Sequence, residues 1–232
     1  MKKEERAIVV PDAGATTPVT EPTPSVASAT ERKPTILILG DSHAFGPFGR
    51  TLHELLATVG DRVVFEAACG ATTEMFLFPY PESVCGYRVH ETRNGETPPR
   101  QVVSTWHLSK IHNLDWMLKH YEPEVVVVAL GTNYPRAPVP DATQSFMKAL
   151  CKQKCPRVFW IGPPAFGKEA GFYISKTIKE TLETSWKGAV FIDSTKLNAE
   201  KPLNIKKPHF GDEEAKRWAH HAFTRIASEL RR

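Results

Sequence analysis

Five short apolar runs, separated by helix-like segments, constrain the fold of this chain more than any other feature. The runs contain mainly aliphatic and aromatic residues, as is typical of strands buried on both faces, and they lie at 36–39, 63–67, 125–130, 158–161 and 190–192. Strands that alternate with helices favour parallel pairing. The pattern therefore predicts a doubly wound, three-layer α/β/α sandwich around a five-stranded parallel sheet.

The segments between the runs carry helical signals. Apolar residues at helical spacing predict two helices. Leu52, Leu55, Leu56 and Val59 lie at i, i+3, i+4 and i+7, and Ile111, Leu114, Leu118 and Tyr121 lie at i, i+3, i+7 and i+10. Asp141 is predicted to cap a helix that runs to about Cys151, with Gln144 at the capping-box position. A further helix is expected over 173–186. The last helix should begin near Asp212 and bury one stripe, formed by Ala215, Trp218, Ala222 and Ile226.

Two stretches do not follow this alternation. Residues 1–33 are rich in Pro, Thr, Ser and Ala and lack recurring large apolar residues, which predicts a disordered tail or tether before a domain over 34–232. A tether to a membrane anchor and an inert tail both remain open. Residues 71–105 are predicted to form an inserted loop and hairpin beside the strand ends, with strands at 87–90 and 101–103 around Asn94-Gly95.

The overall charge and hydropathy exclude several kinds of partner. The net charge is +4 and the basic residues are dispersed, so no nucleic-acid partner is predicted. No apolar run approaches the ~18 residues of a membrane helix, so the domain itself should not insert into a membrane. Met1-Lys2-Lys3 resembles the start of a signal peptide, but Glu4 and Glu5 stand where its apolar core should follow, so no intact signal peptide is predicted.

The four cysteines form two pairs that are local in sequence. Of the three possible connectivities, the pairing of Cys69 with Cys85 and of Cys151 with Cys155 closes the shortest loops. Such pairs suit an oxidising compartment, and with the N-terminal linker they predict a periplasmic, cell-envelope or secreted protein. The alternative is four buried free thiols in a cytosolic protein. Neither spacing matches a zinc knuckle, so no metal is predicted.

Three chemically useful residues each follow a predicted strand. Ser42 comes after the first strand, Gly70 after the second and Asn133 after the third. Because parallel strands end at the same edge of a sheet, the three residues can converge there. Ser42 would be a nucleophile. The backbone N–H groups of Ser42 and Gly70 and the side-chain amide of Asn133 would form an oxyanion site.

A serine hydroxyl needs a base, and His209 is the best placed of the nine histidines. It lies in the loop between the last strand and the C-terminal helix, which belongs at the same sheet edge. His43 is adjacent to Ser42, and neighbouring side chains usually diverge. Each residue also has a simpler interpretation. Asp41 and Ser42 could only cap the helix near Phe45, Asn133 could form an Asx-turn, and Gly70 could be a turn glycine.

These residues resemble the SGNH, or GDSL-type, hydrolase family. Gly40-Asp41-Ser42 matches its first block, Gly70 its second, Gly131-Thr132-Asn133 its third, and His209 with Gly211 and Trp218 its last. The resemblance covers roughly residues 34–230, without the insertion. It implies a serine esterase with Ser42 as nucleophile, His209 as base and a flavodoxin-like strand order. It also implies that neither a metal nor an organic cofactor is required.

The chain departs from the family pattern at two positions. Lys206 stands where the family usually has the Asp that orients the histidine, so a carbonyl, a water or another carboxylate such as Asp193 would have to do so. Asp41 is a further candidate supporting residue. Tyr134 stands where the family often has Asp. Aromatic residues near the site, namely Tyr134, Phe76 and Trp106, are expected to line the substrate or else to pack the insertion onto the domain.

The chain carries no apolar lid segment of the kind that a long-chain lipase needs, so the acyl group should be short. The expected activity is removal of an acyl group, in particular O-acetyl, from a carbohydrate, a cell-wall polysaccharide or a small ester. Two alternatives remain open: an O-acyltransferase that uses the same serine, and a non-catalytic carbohydrate-binding relative with a degraded triad, which Lys206 favours.

Overall fold

The apolar runs form strands whose two faces are both covered. The computed structural model describes residues 32–78, 86–96, 112–133, 138–167, 169–203 and 209–232. The strands are Thr35–Gly40 (β1), Arg62–Ala68 (β2), Tyr87–Arg93 (β3), Val125–Ala129 (β4), Arg157–Ile161 (β5) and Val190–Ile192 (β6). The helices are Ser42–Phe45 (α1), Pro47–Leu56 (α2), Thr73–Leu77 (α3), Leu114–Tyr121 (α4), Val139–Leu150 (α5), Ala170–Ser185 (α6) and Asp212–Leu230 (α7), and a 3-10 helix spans Thr195–Asn198.

The strand order of the sheet is β3-β2-β1-β4-β5-β6. The five predicted strands are all parallel and have the expected flavodoxin-like order, which confirms the predicted fold class. Within the described residues the sheet nevertheless has six strands and not five, because β3 pairs antiparallel to β2, with Tyr87 opposite Ala68 and Arg93 opposite Arg62. The predicted partner strand at 101–103 lies outside the described residues.

The sheet separates two apolar cores. On one face Ile36, Ile38 and Val127 pack against α1, α2 and α7. On the other face Leu37, Leu39 and Val126 pack against α3, α4, α5 and α6. This alternation of neighbouring residues between two covered faces explains why the central strands are apolar throughout. No helix in the described ranges combines the length and the apolarity that crossing a membrane requires.

The helices confirm most of the predicted pattern. α7 begins at Asp212 and buries the predicted stripe, from Ala215 to Ile226. The prediction for α5 was wrong at its start, since the helix begins at Val139 and Asp141 lies in its first turn instead of capping it. Pro140 accounts for the earlier start, because proline is favoured in a first turn, where its missing N–H has no helical partner.

The described cysteines are oxidised. Cys151 and Cys155 form the predicted disulfide, directly after α5. Cys69 is also disulfide-bonded, and its predicted partner Cys85 lies outside the described residues. The N-terminal stretch 1–31 is likewise outside them.

Candidate active site

Ser42 lies where β1 turns directly into α1. Asp41 is the N-cap of this helix, and its Oδ1 accepts a hydrogen bond from the backbone N–H of His43 at 2.9 Å. The turn is tight because residue 40 is glycine: a Cβ there would lie 2.1 Å from the Cβ of Ala44. Asp41 therefore caps the helix, and the Ser42 hydroxyl points to another element.

That element is the loop before α7. The Nε2 atom of His209 lies 2.8 Å from the Oγ of Ser42, although the two residues are 167 positions apart in sequence. This distance is within the range over which a general base takes a proton from a hydroxyl. The loop brings the predicted base and nucleophile together, and the His209 side chain is exposed on its other side.

The imidazole of His209 rests against a group of aromatic side chains. Its ring centroid is 4.9 Å from that of His43, which meets the edge of Trp218 at 5.2 Å. Trp218 in turn stacks on Phe48 at 3.9 Å and donates from Nε1 to the Oγ of Ser194 at 2.7 Å. The expectation that the neighbouring side chains of Ser42 and His43 diverge was wrong, because both contact His209: Ser42 through its Oγ and His43 through its ring. His43 thereby supports the imidazole of His209, a role that the sequence did not indicate.

The two other predicted oxyanion residues also come together. Asn133 donates from Nδ2 to the backbone carbonyl of Ala71 at 3.0 Å, which places its amide beside the turn that follows β2. Gly70 occupies that turn with φ of +80°, a conformation that favours glycine. Because an amide nitrogen carries two N–H groups, Asn133 can hold this turn with one and offer the other to a substrate oxygen.

Asp41 links the residues around Ser42 to the Gly131-Thr132-Asn133 segment. Its carboxyl is buried, and this burial raises its pKa from 3.8 to about 6. Interactions with the N–H of His43 and with the side chain and N–H of Thr132 partly offset the rise. Thr132 directly precedes Asn133, so Asp41 couples the end of β1 to the end of β4. Thr132 lies inside the Gly-Thr-Asn motif, but the motif itself indicates a role only for Asn133.

The other residues that the sequence predicted near the site have contacts of different kinds. The Oδ1 of Asp193 accepts from the N–H and the hydroxyl of Thr195, at 2.9 and 2.7 Å, so the contacts described for this carboxylate stabilise the 3-10 helix. Phe76 lies in α3 with its side chain fully buried in the core, which fits the packing alternative and not contact with a substrate. Three further predicted residues lie outside the described ranges, namely Tyr134, Trp106 and Lys206.

A small cavity and a large groove border the described part of the candidate active site. The cavity, of about 20 Å³, adjoins Asn133 and Gly131, with walls that include Val139, Ala142 and Ile178. A much larger groove of about 690 Å³ lies against His209 and the first turns of α7.

Within the described part of the chain, no three His, Cys, Asp or Glu residues are grouped so that they could hold a metal ion.

Comparisons with known proteins agree on the fold. No protein-family model matches the chain, and no curated protein sequence does. Among solved structures, a mutant acetylxylan esterase from Geobacillus stearothermophilus is similar with a TM-score of 0.54 and 14% identity, over 84% of this chain and 94% of that one. A family two carbohydrate esterase from Clostridium thermocellum gives 0.53 and 15%, over 86% of this chain and 64% of the other, so our chain spans less than two thirds of that protein.

A peptidoglycan O-acetylesterase is also similar, with a TM-score of 0.52 and 10% identity, over 86% of this chain and 92% of that chain. At such low identities the likeness establishes the fold. The chain therefore has an α/β/α sandwich fold that is found in carbohydrate and peptidoglycan esterases.

Proposed function

We propose that the protein is a serine esterase that removes short acyl groups, in particular O-acetyl, from a carbohydrate or cell-wall polysaccharide. The observation that carries this proposal is the 2.8 Å contact between the Oγ of Ser42 and the Nε2 of His209. Asn133 and the turn at Gly70 support it, because they lie at the same edge of the sheet as the serine.

The reaction has two balanced halves. In the first, the Oγ of Ser42 attacks the ester carbonyl while His209 takes the hydroxyl proton. The backbone N–H groups of Ser42 and Gly70 and the side-chain amide of Asn133 stabilise the oxyanion. The ester C–O bond then breaks, His209 gives its proton to the leaving alcohol, and the acyl group stays on Ser42. In the second half water attacks, and the same proton transfers release a carboxylic acid and free Ser42.

Two observations support a short acyl group on a carbohydrate. The cavity beside Asn133 measures about 20 Å³, and since holding a single water requires about 10–15 Å³, there is room for one small group. The fold is also that of esterases whose names give carbohydrates or peptidoglycan as substrates. Disulfide bonds form in oxidising compartments, so Cys151–Cys155 supports a periplasmic, envelope or secreted location.

The test is turnover of 4-nitrophenyl acetate and of acetylated polysaccharide by the purified protein and its variants. We expect Ser42→Ala and His209→Gln each to lower kcat by about 10³-fold or more, because the two residues act as one unit. Ser185→Ala, at the exposed end of α6, is the matched control and should be fully active. Activity that survives in Ser42→Ala, or its absence from the wild type on every short ester, would contradict the proposal. Acyl product on an added sugar would instead identify a transferase.

A separate experiment tests the proposal that only short acyl groups fit the site. Val139 borders the small cavity, so Val139→Ala should enlarge it and raise the kcat/KM ratio of 4-nitrophenyl butyrate to acetate by about tenfold, the amount that pocket methylenes typically contribute. Val190→Ala is the control, since Val190 is half-buried in β6 and is not a wall of the cavity. An unchanged ratio in Val139→Ala would show that the acyl group lies elsewhere.

A further inference from the structure

The position of His209 determines where the alcohol part of the substrate must lie. The Nε2 atom that takes the Ser42 proton is also the atom that protonates the leaving oxygen, so this oxygen must approach within hydrogen-bond distance of His209. The acyl side of the same ester faces Gly70 and Asn133. If the protein is the esterase proposed above, on which this inference rests, the sugar therefore leaves on the His209 side.

The groove of about 690 Å³ lies on that side. One wall is formed by the 3-10 helix and the residues after it, through Leu203, and the other by His209, Phe210 and the first turns of α7. Its volume lies in the range of about 300–1,000 Å³ that holds ligands the size of several sugar rings, whereas the cavity at Asn133 is about 20 Å³. The small cavity thus matches the size of an acetyl group, and the large groove matches the size of the glycan that carries it.

The groove also carries exposed positive charge. Lys196 and Lys201 line its 3-10 wall, and neither forms a salt bridge within the described residues. The acidic residues of the groove are Glu200 and Glu214, and the carboxylate of Glu214 is 3.7 Å from the guanidinium of Arg217. The described lining of the groove thus contains three basic side chains, Lys196, Lys201 and Arg217, against these two acidic ones.

We infer that this groove binds the glycan that leaves, and that Lys196 and Lys201 pair with acidic groups carried by that glycan. The substrate class is then an O-acetylated acidic polysaccharide, such as one containing uronic acids, and not a neutral one. The two lysines are specificity-determining residues: they act on binding of the polymer and leave the chemistry at Ser42 unchanged.

The test compares three substrates: acetylated polygalacturonate, acetylated xylo-oligosaccharides without uronic acid, and 4-nitrophenyl acetate. We expect the double variant Lys196→Gln/Lys201→Gln to raise KM for the acidic polymer about fivefold, which is in the range of two partly exposed charge pairs, with kcat unchanged. The neutral oligosaccharides and 4-nitrophenyl acetate should be unaffected. Added salt should raise the wild-type KM for the acidic polymer alone.

Two controls separate charge in the groove from charge elsewhere. Lys176→Gln/Lys179→Gln removes the same charge from α6, where both lysines pair with glutamates one turn away, and should leave every KM unchanged. Glu200→Gln, on the same wall as the two lysines, should lower KM for the acidic polymer or leave it unchanged.

An equal effect of the groove variant on acidic and neutral glycans, or no effect on either, would overturn the inference. Binding of unacetylated oligogalacturonate to Ser42→Ala, followed by calorimetry, tests the groove without turnover. A protein that binds this ligand through the two lysines but hydrolyses no ester would refute the proposed function and retain the acidic-glycan site. Turnover of 4-nitrophenyl acetate without lysine-dependent binding would do the reverse.

Discussion

At the scale of the residue, Asp41 is a carboxyl group whose charged form is disfavoured by folding. Burial raises its pKa to about 6, whereas an exposed aspartate has a pKa of about 3.9. Between these values the folded chain binds a proton more readily than the unfolded chain. The stability that this group contributes is therefore fully present below about pH 4, and it is lost as the pH rises through about 6.

Asp41→Asn tests this linkage, because asparagine keeps the N-cap acceptor and cannot ionise. Relative to the wild type, the variant should gain about 3 kcal/mol in free energy of unfolding between pH 4 and pH 8, as two pKa units imply. Urea unfolding of both proteins at the two pH values measures the difference. A difference that does not vary with pH would show that Asp41 does not titrate in this range.

The sequence predicted those residues of the candidate site whose positions follow from the order of the parallel strands. Ser42 and Asn133 follow strands that end at one edge, so their proximity needed only the parallel order, and a loop before α7 could bring His209 to them. The support of His209 by His43 was not predictable, because it depends on side-chain directions within a four-residue helix. The same holds for Asp41 and Thr132, whose contact joins two chain segments 91 positions apart.

At the scale of the elements, a buried carboxylate joins three of them. Glu66 in β2 is fully buried and accepts from the hydroxyls of Tyr87 in β3 and Tyr121 in α4, the latter at 2.6 Å. The Nδ1 of His112, just before α4, lies 3.0 Å from the same carboxylate. Burial raises the pKa of Glu66, and the hydrogen bonds from His112 and Tyr121 oppose the rise. The cluster thus attaches the edge strand and α4 to the centre of the sheet.

Removing one partner should therefore destabilise the fold. Tyr121→Phe deletes one hydroxyl donor to a buried carboxylate and should lower the free energy of unfolding by about 1–3 kcal/mol. Tyr173→Phe is the matched control, because that side chain is 63% exposed and its change should be within about 0.5 kcal/mol. Denaturant unfolding compares the two variants. Equal small effects would show that Tyr121 contributes little to the cluster.

This cluster also explains why β3 was only partly anticipated. Glu66 stands within an otherwise apolar run, and its three partners follow 21 to 55 positions later, so no local pattern reports their contact. β3 is an edge strand with mostly half-buried residues, and it lacks the continuous apolar run that marked the five parallel strands. A local turn signal at Asn94-Gly95 predicted its end but not its pairing with β2.

At the scale of the whole molecule, the same sheet forms the centre of both apolar cores and positions the residues of the candidate active site. The apolar cores lie on its two faces, and Ser42, Gly70, Asn133 and His209 lie at its C-terminal edge. Helices cover the two faces, whereas the strand ends leave room for loops with polar side chains. Substitutions at the edge can therefore change specificity, as proposed for Lys196 and Lys201, with little effect on either core.

Two residues just before the predicted start of β1 contact the rest of the fold. Arg32 pairs with Glu124 at 3.1 Å, and the carbonyl of Pro34 accepts from the N–H of Asp61 at 3.2 Å. Residues from Arg32 to Arg232 also form one compact unit. Deletion of residues 1–31 should therefore leave turnover of 4-nitrophenyl acetate unchanged and shift Tm by no more than about 2 °C.

Deletion of residues 1–34 provides the contrast, because it also removes both contacts. It should lower the free energy of unfolding by about 1–2 kcal/mol, mainly through the lost partner of the Asp61 N–H, since the Arg32–Glu124 pair is exposed. Thermal and urea unfolding of the full chain and the two truncations measures this difference. If the shorter deletion were already destabilising, residues 1–31 would belong to the folded unit; if neither were, the first strand would hold β2 without the Pro34 contact.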